Sequence, residues 1–123
     1  MHIFPVDLLD GRSVDVGAVG PEDGVPVLYF HSPATSGEEL DSAASAAAEF
    51  GLRLLTIRRS SIAGEGPERF VEIVADRAVE LIGTLGLDRL GLMAWSGGSP
   101  YALATAARLG AAVGPIHLVS PLP

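Results

Sequence analysis

The sequence predicts an α/β fold with a mostly parallel sheet, and three observations carry that expectation. Two apolar runs at strand spacing, residues 2–8 and 12–19, are separated by Asp10 and Gly11. Short apolar strands then alternate three times with segments of helical period. Neither an internal repeat nor a low-complexity linker divides the 123 residues, so residues 1–123 are expected to form a single unit.

The elements follow in order. Asp10-Gly11 between two apolar runs predicts a tight type I′ hairpin, whose central positions both need positive φ. Residues 20–26 form a loop, and residues 27–31, bounded by Pro26 and Pro33, read as a buried strand. Ser36 and Glu39 have capping-box spacing, predicting a helix whose apolar face is Leu40, Ala43, Ala44, Ala47 and Phe50. Gly51 suits a left-handed helix stop, and residues 52–57 are the next strand. Pro67 and Glu68 open a second helix with Phe70, Val74, Ala78, Leu81 and Leu85 on one face. Residues 90–95 are a strand, 99–109 a helix, and 116–120 a last strand.

Composition excludes several function classes. Fifteen acidic against eight basic residues give a net charge of −7, which repels phosphate backbones, and no basic stripe offsets it; nucleic acid is not an expected partner. His2, His31 and His117 are isolated, with no partner at metal-ligand spacing, and no cofactor is expected. The absence of cysteine removes disulfides, thiolate ligands and a cysteine nucleophile, and fits a reducing compartment. No basic leader or long apolar run is visible, so the expected location is the cytoplasm, without membrane contact.

Ligands of open α/β sheets bind outside the carboxyl ends of the strands. Three loops lie there: residues 31–37, 58–66 and 96–98. The third has the form small-x-Ser-x-Gly, Ala94-Trp95-Ser96-Gly97-Gly98. A sharp strand-to-helix elbow requires small residues two places before and after its apex. It forces the central serine into a strained conformation with its hydroxyl presented. The Gly97 N–H would then face a developing oxyanion. A plain helix start is the competing reading, because Ser99-Pro100 is a good N-cap and N1 pair.

The stretch of residues 86–110, "GLDRLGLMAWSGGSPYALATAARLG", resembles the elbow of α/β-hydrolase-fold proteins. "VLYFHSPATSG" looks like their H-G-x-P loop, and "LRLLTIRRSS" stands where they carry a D-R-P-G stretch. The resemblance implies the N-terminal part of an α/β-hydrolase sheet, ending after the strand that follows the elbow helix. It implies a serine hydrolase acting on an ester-like or other acyl substrate, with Ser96 as nucleophile and Gly97 as oxyanion donor. In this family the acid and the histidine follow later strands, so the implied activity of this chain alone is nil or nearly so.

Two departures from the pattern stand out. "HSPA" puts Ser32 at the family's glycine and Pro33 at its oxyanion donor, yet proline has no N–H. A one-residue shift would give Ser32 or Ala34 that role, so the oxyanion and substrate-binding candidates are Gly97, Ser32 and Pro33. Arg58-Arg59 replaces an acid with a base; Arg59 matches the family arginine, and the pair reads as a solvated loop pair or an anion site. A non-catalytic ligand- or partner-binding module of the same fold is the alternative function. The expected partners are a small-molecule substrate and either a second copy or a complementing C-terminal segment, since a sheet ending at residues 116–120 exposes an apolar edge.

Overall fold

The computed structural model describes residues 1–62, 69–88 and 90–121. Strands β1 (His2–Asp7) and β2 (Ser13–Val19) form an antiparallel hairpin. Then come β3 (Val25–Phe30), α1 (Ala44–Phe50), β4 (Leu52–Ile57), α2 (Phe70–Thr84), β5 (Leu90–Trp95), α3 (Ser99–Leu109) and β6 (Val113–Val119). The six strands lie in the order β1-β2-β4-β3-β5-β6. β2 meets β4 antiparallel, and β4, β3, β5 and β6 are parallel, which gives the α/β architecture the alternation predicted.

Apolar residues on both faces explain why helices cover both sides. Along β3, Leu28 and Phe30 point into a core shared with Val74, Ala78 and Leu81 of α2 and Ala102 of α3. Tyr29 between them points the other way, packing with Leu40, Leu54 and Ala47 of α1. This period of two with both faces buried is what parallel strands need. The predicted α2 face is correct for Val74, Ala78 and Leu81, all fully buried. Pro67 and Glu68, expected to open α2, lie outside the described residues.

Three local expectations are corrected. Among the described residues only Ser96 and Ser120 are non-glycines at positive φ, so Asp10 is not in a type I′ turn. Gly11 alone takes φ 84°, its N–H bonds the Leu8 carbonyl at 3.0 Å, and Leu8 N–H bonds the Arg12 carbonyl at 2.7 Å. That is a three-residue loop with glycine at the left-handed position. The Ser36–Glu39 capping box does not form: Glu38 accepts the Ser36 N–H at 2.7 Å, while Glu39 accepts the Tyr29 hydroxyl at 2.8 Å. The chain enters α1 through a 3₁₀ turn, Glu38–Ala43, and Phe50 is exposed rather than on the buried face. Gly51 does close α1 at φ 66°.

Among the described residues β6 pairs only with β5, and it runs over Val113–Val119 rather than residues 116–120. Its Ile116 and Val119 are exposed, as is Leu103 of α3. The expected apolar edge is therefore present.

Candidate active site

β3 sits between β4 and β5, so the loops leaving β3 and β5 diverge at a switch in strand order, where open α/β sheets form their ligand crevice. Ser96 lies at that point. Its φ is +51°, the left-handed region, in a single 3₁₀ turn (Ser96–Gly98) between β5 and α3. A serine there costs about 1 kcal/mol or more against the right-handed conformation. The smallness of its neighbours has a visible cause. Ala94 is fully buried between Phe30 of β3 and Leu118 of β6. A Cβ on Gly98 would sit 2.1 Å from the Phe30 carbonyl oxygen. Ser99 does not cap α3 with its side chain; its hydroxyl donates to the Ser96 carbonyl at 2.6 Å and fastens the turn. α3 does begin at Ser99 with Pro100 in its first turn, but Gly98 rather than Ser99 stands at the N-cap.

The loop after β3 is held by its own polar groups. Ser32 is buried, and its carbonyl accepts from His31 Nδ1 at 2.8 Å and from Thr35 Oγ1 at 3.3 Å. The Ala34 N–H bonds Ser32 Oγ at 3.3 Å, so it is already engaged. Pro33 is exposed and forms part of a cavity wall. Gly97 is half-buried in the turn itself.

His31 has both ring nitrogens occupied. A carbonyl only accepts, so Nδ1 carries the proton toward Ser32, and Nε2 accepts the Arg59 N–H at 3.3 Å. Burial holds its pKa below the usual histidine value, so the ring is neutral. It is a bracket between two loops, not a base for Ser96. His117 lies on β6 opposite Met93, and His2 stacks on Phe4 at the far edge. Among the described residues, no histidine or carboxylate hydrogen-bonds the Ser96 hydroxyl.

Arg59, which the sequence places on a solvated loop or an anion site, is only 7% exposed. Its Nη2 donates to the His31 carbonyl at 2.6 Å, and its guanidinium lies 4.3 Å from the centre of the Tyr101 ring. Burial lowers its pKa, and the neighbouring Tyr101 opposes that shift. Arg58 differs: half-buried, it donates from Nε to the Ser36 carbonyl at 3.3 Å. Sequence reasoning does not point to Tyr101 or Phe70 as site residues. The two rings meet edge to face at 6.0 Å and, with Arg59, Pro33 and Ser60, wall a cavity of about 340 Å³. Ser96 is not among its lining residues. No group of three or more metal-binding side chains occurs among the described residues.

No protein-family model and no curated protein matches the chain. Solved structures do. An α/β-hydrolase-fold protein from Nakamurella multipartita is 31% identical, with TM-score 0.72 over 98% of this chain and 41% of its own. A hypothetical protein from Pseudomonas aeruginosa PAO1 is 20% identical with TM-score 0.78, covering 99% of this chain and 44% of its own. An epoxide hydrolase from Vigna radiata is 17% identical with TM-score 0.78, covering 95% and 39%. The chain thus spans about two fifths of the length of the structures it matches. Strand order, the left-handed serine turn and these neighbours together identify the 123 residues as a portion of an α/β-hydrolase fold.

Proposed function

We propose that Ser96 is the nucleophile of a hydrolase acting on an ester-like or other acyl substrate, and that the chain is inactive until a base is supplied to it. The observation that carries this reading is the positive φ of Ser96, maintained against its cost by Gly98, Ala94 and the Ser99 hydroxyl. Attack on an acyl carbon requires the serine proton to leave, and His31 has no free nitrogen with which to take it. The Gly97 N–H is the first oxyanion donor in this scheme. Pro33 brings no N–H and Ala34 spends its own on Ser32, so the Ser32 N–H is the second candidate and Pro33 serves only as cavity wall. An epoxide hydrolase name among the neighbours belongs to a structure at 17% identity and supports the fold alone.

A complementing segment, or a second copy, docks along β6 and brings the missing acid and base. The exposed Ile116 and Val119 support this, as does the greater length of the matching structures. No described helix is long and apolar enough to cross a membrane, and we place the chain in the cytoplasm. A non-catalytic ligand-binding module is the second reading, favoured by the proline at the usual donor position.

Labelling with a fluorophosphonate separates the two, using the purified chain, the chain in its native cells, and Ser96→Ala in both settings. The expected result is near-background labelling of the purified chain and Ser96-dependent labelling in cells. Labelling that survives Ser96→Ala overturns the role of Ser96. Absence of Ser96-dependent labelling in both settings favours the non-catalytic module.

A further inference from the structure

Arg59 has an incomplete set of partners. Its Nη2 is satisfied by the His31 carbonyl, while Nη1 is closed from bulk solvent and has no hydrogen-bond partner. A buried guanidinium is ordinarily paired with a carboxylate, because leaving a charge uncompensated in a low dielectric is costly. Among the described residues no carboxylate forms an ion pair with it. Glu38 accepts the Ser36 N–H, and one Glu39 oxygen accepts the Tyr29 hydroxyl; the other Glu39 oxygen, Oε2, is buried without a hydrogen-bond partner and attracts Arg59 without reaching ion-pair distance. Arg59 nevertheless forms part of the wall of the 340 Å³ cavity, and among the described residues none that lines it is acidic.

The composition of that wall narrows the ligand. Phe70, Pro33 and the Tyr101 ring offer an apolar surface, and Thr35, Ser36 and Ser60 bring hydroxyls. Glu39 already attracts this guanidinium, so Arg59 balances at most one further negative charge; a dianionic phosphate would leave excess negative charge against a chain already at −7. A planar carboxylate matches the planar fork of arginine.

We propose that this cavity is a binding site for a small monocarboxylate with an apolar body, seated with its carboxylate on Arg59 and its body against Phe70 and Tyr101. Nη1 is closed from solvent, so entry of the ligand includes a local turn of the guanidinium that brings this nitrogen to the carboxylate. Arg59 keeps its bond to the His31 carbonyl throughout. The site needs no chemistry at Ser96, so it stands or falls apart from the catalytic proposal.

The test uses benzoate as probe and benzamide, its neutral near-isostere, as control. Both are titrated into the ¹⁵N-labelled chain at matched ionic strength in sodium chloride. Saturable shifts at Arg59, Ser60 and Tyr101 are expected with benzoate, at an affinity at least tenfold above that for benzamide. Because Arg59 variants risk unfolding, the decisive variant is at exposed Ser60. Ser60→Asp places a carboxylate at the cavity wall, where it occupies Arg59 itself and weakens benzoate at least tenfold; Ser60→Asn retains binding. Equal affinity for benzoate and benzamide, or undiminished benzoate binding in folded Ser60→Asp, overturns the proposal.

Discussion

An alanine at position 98 puts a methyl carbon 2.1 Å from the Phe30 carbonyl oxygen, 2.8 Å from its carbonyl carbon and 2.9 Å from the His31 carbonyl oxygen. All three are backbone atoms at the carboxyl end of β3, which β4 and β5 hold from either side. No side-chain rotation can relieve the clash. The elbow and β3 would have to separate by roughly 1 Å to restore ordinary contact, opening the interior around Ala94 and Ala102. Overpacking that side chains absorb costs about 1–3 kcal/mol, and a backbone clash belongs at the upper end, about 3 kcal/mol. For a domain of this size that lowers Tm by on the order of 10 °C. Urea unfolding followed by far-UV circular dichroism measures the loss. Gly83→Ala in α2 is the matched control, since nothing lies within 4 Å of where the added methyl would sit and a helical alanine gains about 0.5–1 kcal/mol. A Gly98→Ala protein within about 0.5 kcal/mol of wild type would refute the claim that close approach to β3 dictates glycine there.

Three further predictions rest on other parts of the molecule. His31 is buried and neutral with its pKa depressed below 6.5, so the unfolded chain binds a proton that the folded chain refuses. Stability therefore falls as pH drops below about 6.5, and His31→Asn loses that part of the slope in denaturation curves at about pH 7.5 and 5.5. Arg59→Ala removes the donor to the His31 carbonyl and should cost about 2 kcal/mol in the same urea assay. Val119→Lys charges the exposed edge strand, so light scattering should show less self-association than for wild type.

The sequence made the large-scale order legible because burial on both faces writes unbroken apolar strands, and helix faces such as Val74-Ala78-Leu81 repeat at helical period. It failed where two local chemistries compete for the same residues. Asp10-Gly11 satisfies both a two-residue and a three-residue loop, and the choice rests on Leu8 pairing with Arg12. Ser36 and Glu39 have the right spacing for a cap, yet Tyr29, on a neighbouring strand, takes Glu39 away. Such contacts across the fold leave no local pattern.

The site divides the same way. The small-Ser-Gly pattern announced the turn, since its cause is steric and lies within five residues. Burial of Arg59 did not show, because a basic pair after a strand reads as solvated until Tyr101, far along the chain, supplies a ring beside it. The only sequence signal for Tyr101 was its place in the first turn of α3, just beyond the elbow.

The central claim is that the fold holds Ser96 in a strained conformation at its own cost, and comparing the stabilities of Ser96→Gly and Ser96→Ala tests it most directly. At a left-handed position glycine is free of the Cβ penalty, so Ser96→Gly should be the more stable of the two by about 1 kcal/mol. At an uncapped position with negative φ the order reverses, because alanine there outranks glycine by about 0.4–1 kcal/mol. An alanine variant as stable as the glycine variant, or more so, would contradict the elbow and the reading built on it.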